Sequence, residues 1–166
     1  MTPLPALDPF TVFGVARSLD LDDRTLERRY LALSRECHPD LLRTQATADC
    51  LAVLQRSAEI NDAWKVLRDP WQRARALLET ASPGVLARNE KLDAAFLADA
   101  LELAEEVAFA HDDAIARLRT RLATVLDADF AAVRAHVERG EFDAAAKRFH
   151  GAHYHRKALA DLDKKA

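Results

Sequence analysis

Two groups of residues in this sequence have side chains that could do chemistry, and the first is His38-Pro39-Asp40. An imidazole and a carboxylate two positions apart could act as a general acid and base. The proline between them fixes its own φ and disfavours helix at His38, which indicates a stiff loop. Neither a nucleophile nor a glycine-rich phosphate loop accompanies the pair, so the sequence does not predict an enzyme.

The second group is a set of three histidines near the C-terminus, His150, His153 and His155. His150 and His153 would share one face of a helix at i, i+3, which leaves a histidine-rich metal-binding protein as one alternative. No Cys or carboxylate stands nearby at a spacing typical of metal ligands. We therefore predict neither a metal nor another cofactor.

The tripeptide lies between two segments with a helical hydrophobic period, from Asp22 to Cys37 and from Thr47 to Arg68. At about 100° per residue, one side of the first segment is apolar and the other is basic. The apolar side holds Leu26, Tyr30, Leu33 and Cys37, and the basic side holds Arg24, Arg28 and Arg35. The second segment has an apolar stripe of Val53, Ile60, Trp64 and Leu67, flanked by Leu51 and Leu54. The pattern predicts an antiparallel helical hairpin with the tripeptide in its connecting loop.

Short helices are predicted on both sides of the hairpin. Asp8-Pro9 has the sequence of an N-cap followed by proline at N1, and the helix that it starts should run through Phe13 and end at Gly14. Phe10 and Phe13 would then cover the hairpin. Asp69-Pro70 repeats the cap signal and opens a helix to about Thr80. The residues that should face inward from it are Trp71, Ala74, Leu77 and Leu78.

The second half of the chain has the pattern of a helical bundle. Ala81-Ser82-Pro83-Gly84 indicates a linker, and three helices follow. Their expected bounds are Asp93 to Ala110, Asp112 to Arg139 and Glu141 to Asp163. The sequence therefore predicts an all-α protein with a first domain at 1–80, a linker at 81–92 and a three-helix bundle at 93–166.

The helix that starts at Asp93 has apolar residues on two faces. Its core stripe would be Phe96, Ala100, Leu103 and Val107, and its far side carries Leu97, Ala98, Leu101 and Phe109 interleaved with Glu102 and Glu105. One explanation is that the helix is buried on both sides. The other is an exposed apolar patch rimmed by acids, which is the composition of a partner-binding site.

Bulk composition excludes several classes of protein. Only 4 Gly and 6 Pro in 166 residues favour helical globular structure, and a net charge of −3 argues against a nucleic-acid binder. No apolar run reaches the ~18 residues of a membrane span, and the first residues do not have the pattern of a signal peptide. The two cysteines, Cys37 and Cys50, are not in CxxC spacing. We expect a cytoplasmic protein.

The first domain resembles the J domain of DnaJ-type co-chaperones. The likeness rests on the basic-faced helix, the tripeptide, and the segment Ala58-Glu59-Ile60-Asn61-Asp62-Ala63-Trp64-Lys65-Val66-Leu67-Arg68-Asp69-Pro70. Further motifs are similar to those of the HscB family, the J-type co-chaperones of iron–sulfur cluster assembly. They are Arg73-Ala74, Phe96-Leu97, Leu101-Glu102-Leu103, Glu105-Glu106 and Phe142-Asp143-Ala144-Ala145-Ala146.

The resemblance implies two partners and a surface for each. A specialised DnaK-type chaperone, HscA, would bind the first domain and have its ATPase stimulated; the residues implied are His38, Pro39, Asp40, Arg28 and Arg35. The cluster scaffold IscU would bind the bundle through Leu97, Ala98, Leu101, Glu102, Glu105 and Tyr154. A general J-domain co-chaperone that delivers other clients to DnaK is the alternative. Two positions depart from the family pattern: Cys37 replaces a frequent aromatic residue, and Leu41 replaces a common Lys.

Overall fold

A computed structural model describes residues 7–37 and 47–165 of the chain. These ranges contain eight helices and no strand. The helices are α1 (Pro9–Phe13), α2 (Asp23–Glu36), α3 (Thr47–Leu67), α4 (Pro70–Ala81), α5 (Val85–Arg88), α6 (Ala94–Phe109), α7 (Asp113–Glu138) and α8 (Phe142–Asp163). The prediction of an all-α protein is confirmed. The chain divides into two compact units, Met1–Thr80 and Ala81–Ala166.

The first unit is built around the pair α2 and α3, with α1 packed against both. The caps that the sequence predicts are present. The Asp8 carboxylate accepts the backbone N–H of Phe10 at 3.1 Å, and the Asp22 carboxylate accepts that of Thr25 at 2.8 Å. Gly14 ends α1 at φ +61°, a left-handed conformation that glycine adopts without steric cost. Helix α2 ends at Glu36 with Cys37 as its C-cap.

Aromatic side chains join α1, α2 and α3 of this unit. The rings of Tyr30 and Trp64 stack with centroids 4.8 Å apart, and Trp64 also stacks on Phe13 at 6.3 Å. The Tyr30 hydroxyl lies 2.9 Å from Oδ1 of Asn61 on α3. Stacked rings bury large apolar areas in a defined geometry, so this column fixes how α2 lies against α3. Phe10, Leu26, Ile60 and Leu67 are fully buried around it, as their helical spacing predicts.

Helix α4 begins as Asp69-Pro70 predicts, since the Asp69 carboxylate accepts the N–H groups of Trp71 and Gln72. Ala74, Leu77 and Leu78 are buried, while Trp71 is only half-buried. Arg73 was not expected to be buried among them, yet its side chain is only 4% exposed. Burial without partners would be costly for a cation, and backbone carbonyl groups surround this one.

The second unit contains α5 to α8, and α8 contacts each of the other three helices. The segment 81–92, expected to be a linker, contains α5, whose Val85 and Leu86 are buried. Helices α6, α7 and α8 lie within one or two residues of their predicted bounds. Their common core is a cluster of buried apolar residues: Val107, Ala110, Leu118, Leu122, Ala158 and Leu162.

Helices α7 and α8 form a hairpin, because only three residues separate them. Gly140 has φ +72° in this turn, and Glu141 accepts hydrogen bonds from the side chain of Arg139 and lies beside His136. Within the two described ranges, no helix has the length and apolar character needed to cross a membrane.

Candidate functional site

The outer face of α2 carries the two arginines that the sequence assigns to chaperone binding. Arg28 and Arg35 are both exposed, and their spacing of seven residues, about two helical turns, places them on the same side of α2. The guanidinium of Arg28 donates a hydrogen bond to Oγ1 of Thr25 at 3.0 Å. Leu26 and Leu33 point to the core from the opposite side. His38, Pro39 and Asp40 lie outside the described residues.

On α6, the apolar face opposite the core stripe is open to solvent. The side chains of Leu97 and Leu101 are 42% and 63% exposed. Ala98, Glu102 and Glu105 are exposed as well. The explanation that α6 is buried on both sides is therefore wrong, and the helix presents an apolar strip bordered by carboxylates.

The core stripe of α6 is less buried than its pattern predicts. Only Val107 is fully buried, while Phe96, Ala100 and Leu103 are partly exposed. The reason is that α6 packs mainly on one neighbour, α8, and does not lie between two layers. A helix supported from one side keeps a wide apolar surface in contact with water.

A groove of about 310 Å³ separates α6 from α8. Leu97 and Leu101 form its wall on α6, and Tyr154, which is 38% exposed, forms its wall on α8. The floor is made of small or branched apolar residues: Ala100, Ala104, Val107 and Ala158. The Tyr154 and Phe96 rings pack edge to face with their centroids 5.7 Å apart, which restrains the Tyr154 ring beside the groove. Three residues assigned from sequence to scaffold binding thus line one groove.

Ala98, Glu102 and Glu105, the other three residues assigned to that partner, are exposed on α6 but do not line the groove. Two charged residues of α8, Lys157 and Asp161, do line it, and the sequence analysis missed them. Spacing could have identified them, because positions i+3 and i+7 from Tyr154 lie on the same helical face.

The three histidines of α8 have separate surroundings. Nε2 of His150 lies 2.9 Å from the carbonyl oxygen of Leu86, and Nδ1 of His155 lies 2.7 Å from the Asp129 carboxylate. Desolvation lowers the pKa of His153, with help from the neighbouring cations Arg156 and Lys157. Within residues 7–37 and 47–165, no three His, Cys, Asp or Glu side chains are grouped as metal ligands would be.

No family model matches the sequence. Solved structures of two proteins are similar to this chain over most of their length. The first is the chaperone HscB from Vibrio cholerae, with 28% sequence identity, a TM-score of 0.82, and coverage of 96% of this chain and 97% of that one. The second is the human co-chaperone protein HscB, with 24% identity, a TM-score of 0.85, and coverage of 99% and 85%.

The aligned regions include nearly all of this chain and therefore extend over both of its units. The resemblance noted from the sequence motifs is thereby confirmed at the level of structure. This chain has the all-helical fold of the HscB co-chaperones.

Proposed function

We propose that this protein is an adaptor of the HscB type. Its second unit binds an iron–sulfur scaffold of the IscU type, and its first unit delivers that scaffold to the DnaK-type chaperone HscA and stimulates ATP hydrolysis by HscA. The protein itself catalyses no bond chemistry. The observation that carries the proposal is the set of exposed apolar side chains, Leu97, Leu101 and Tyr154, around one groove in a chain with this fold.

The groove has the composition of a protein-binding site. Leu97 and Leu101 would leave water on docking, and each Å² of apolar area buried contributes roughly 25 cal/mol before the costs of association. Glu102 and Glu105 border the strip and favour a partner with basic groups around an apolar centre. An apolar centre with a charged rim is the usual anatomy of an interface between soluble proteins.

The first unit would contact the chaperone through its basic helix face and the following loop. Arg28 and Arg35 are exposed on one side of α2, so they can steer an acidic surface towards the loop that the sequence predicts after Cys37. His38 and Asp40 would then favour the hydrolysing conformation of the ATP-bound chaperone, and Pro39 would keep the loop stiff. Because both partners bind one chain, the scaffold reaches a high effective concentration at the chaperone.

Single-turnover ATP hydrolysis by HscA tests the proposal, with this protein and IscU added separately and together. We expect stimulation by this protein alone, and greater stimulation when IscU is present. His38→Gln should abolish both effects. The double substitution Leu97→Ala with Leu101→Ala should leave the first effect intact and remove the part that depends on IscU.

Leu51→Ala with Leu54→Ala is the matched control, because these are two exposed leucines of α3 that do not line the groove. It should retain the response to IscU. Stimulation that is indifferent to IscU would contradict scaffold delivery and leave a general J-domain co-chaperone with another client. No stimulation of HscA or of DnaK would overturn the co-chaperone function altogether.

A further inference from the structure

A second cavity lies in the second unit, apart from the groove of Leu97 and Tyr154. It has a volume of about 580 Å³ and is bounded by the start of α6, the C-terminal half of α7 and the N-terminal half of α8. Volumes of this size are typical of sites for small organic molecules. Nothing in the proposed function uses this cavity.

One wall of the cavity contains a buried carboxylate that contacts two side chains of the neighbouring helix. Asp129 of α7 is fully buried, and its two oxygens lie 2.7 Å from Nη2 of Arg148 and 2.7 Å from Nδ1 of His155, both on α8. The contact with His155 has hydrogen-bond geometry, whereas the contact with Arg148 is an ion pair only, since Oδ1 of Asp129 has no hydrogen-bond partner among the described residues. The charge of Arg148 balances that of Asp129, which weakens the repulsion of an incoming anion by this carboxylate.

The remaining charges of the cavity are mainly positive. Lys91 and Lys147 line it and are exposed, and neither forms an ion pair with the described residues. Asp93 is the other carboxylate in the lining, and it is engaged as the N-cap of α6, where it accepts the N–H of Phe96 at 2.7 Å. Two ammonium groups therefore line the same cavity as the Arg148 guanidinium, and the charge of Lys147 also acts on Asp143, whose pKa it helps to lower.

The cavity also has an apolar surface. Leu92, Phe96 and Ala144 contribute to its lining, together with the backbone at Gly151. A Cβ at Gly151 would lie 3.3 Å from two atoms of the Phe96 ring, so the glycine lets this ring lie close to α8. A ligand with an apolar ring or chain could rest on this surface while its charge meets the lysines.

We propose that this cavity binds a small organic anion, with a phosphate or carboxylate group at Lys91 and Lys147 and an apolar part against Phe96. The two lysines supply the positive charge. The contacts of Asp129 with Arg148 and His155 join α7 to α8 in the wall of the cavity. Phosphate and carboxylate have the same requirement for convergent cationic donors, and the choice between them is made by experiment.

Titrations of the full chain with phenyl phosphate, benzoate, inorganic phosphate and phenol test this. Assigned histidine ring resonances in NMR spectra provide the readout, because His136 and His155 line the cavity and His111 does not. We expect saturable shifts of His136 and His155 with phenyl phosphate or benzoate, and weaker binding of inorganic phosphate and phenol. The stronger of the two aromatic anions identifies the preferred group. Affinity should fall as salt is added.

Lys91→Ala and Lys147→Ala should each weaken binding of the aromatic anion by up to about fivefold, because each removes one charged contact made by an exposed side chain. Lys157→Ala is the matched control on α8, since Lys157 lines the other groove, and it should change binding by less than about twofold. Equal loss in all three variants, equal binding of phenol, or shifts confined to His111 would overturn the proposal.

Discussion

The guanidinium of Arg73 on α4 donates from Nη1 to the carbonyl oxygen of Leu19, 2.7 Å away, and from Nε to the carbonyl oxygen of Leu67 at 2.8 Å. One side chain thereby joins α4, the end of α3 and the segment before α2. Asp23 lies 3.5 Å from Nη2 and is mostly exposed. Desolvation lowers the pKa of Arg73, although Asp23 partly opposes that shift. The main-chain carbonyls are the chief partners of this buried cation.

Replacing Arg73 with Met should destabilise the first unit by about 2 to 4 kcal/mol, because buried carbonyl groups lose their donors. Both tryptophans of the chain, Trp64 and Trp71, lie in this unit. Urea unfolding followed by tryptophan fluorescence therefore reports it selectively. The exposed Arg68 offers a control, and Arg68→Met should change the free energy of unfolding by less than about 0.5 kcal/mol. Equal effects of the two substitutions would contradict this account.

The Tyr30 side chain contributes in two separable ways to the packing of α2 on α3. Tyr30→Phe removes the hydroxyl near Asn61 and keeps the ring on Trp64, so it should cost about 0.5 to 1.5 kcal/mol. Tyr30→Ala removes the ring as well and should cost about 3 kcal/mol or more. The same fluorescence-detected unfolding measures both. Similar losses for Phe and Ala would mean that the stack contributes little.

Asp129 should be the most sensitive polar residue of the second unit. Asp129→Asn keeps the shape of the side chain but removes the charge paired with Arg148, which is itself about half exposed, and a loss of about 1 to 2 kcal/mol is expected. Hydrogen exchange resolved by peptide should show faster exchange in α7 and α8 and unchanged protection in α2 and α3. Asp127→Asn, at an exposed position two residues earlier, is the matched control and should leave exchange unchanged. Unaltered protection in Asp129→Asn would refute the prediction.

The turn between α7 and α8 should make stability depend on pH through Glu141. Hydrogen bonding to Arg139, and then to His136, lowers the pKa of Glu141 from 4.5 to about 2. A carboxylate whose pKa is lower in the folded state stabilises that state fully above its unfolded pKa and loses this effect as pH falls through the folded value. The contribution of Glu141 should therefore be complete above pH 4.5 and decline towards pH 2.

Thermal unfolding of the wild type and of Glu141→Gln, followed by circular dichroism, measures this contribution. The wild type should melt at a higher temperature than the variant at pH 5.5, and the gap should narrow by pH 3. A gap that stays constant or widens as the pH falls would show that the hydrogen bonds from Arg139 and His136 do not favour the charged carboxylate.

Local signals in the sequence were sufficient for seven of the eight described helices, and α5, in the segment expected to be a linker, was missed. N-cap aspartates, proline at N1, the left-handed glycine at 14 and the helical period of the apolar residues predicted bounds within one or two residues of those observed. Such signals act within about one helical turn, so they can be identified from residues that are close together in the sequence. The motifs shared with the HscB family likewise lie along the chain, and the similarity that they indicated extends to the whole fold.

The burial of charged side chains was harder to predict from the sequence than the helices were. Asp129 occupies a core position, seven residues after Leu122 and four before Val133, so an acid interrupts an apolar stripe. That interruption could have indicated a buried acid. The partners of Asp129, however, are Arg148 and His155 of α8, and their proximity depends on how the two helices pack. Arg73 is similar, since its acceptors are backbone carbonyls more than 50 residues away in one case.

The sequence by itself determined the helical class, the bounds of every described helix except α5, and the two apolar faces of α6. Only the tertiary structure decided that Leu97 and Leu101 are exposed, that Tyr154 stands across a groove from them, and that a charged cavity opens beside Phe96. The physical reason is the separation along the sequence of the residues that interact. Helix formation follows from contacts within a few residues, whereas exposure and grooves depend on which helices pack against one another, and that is settled by the whole core.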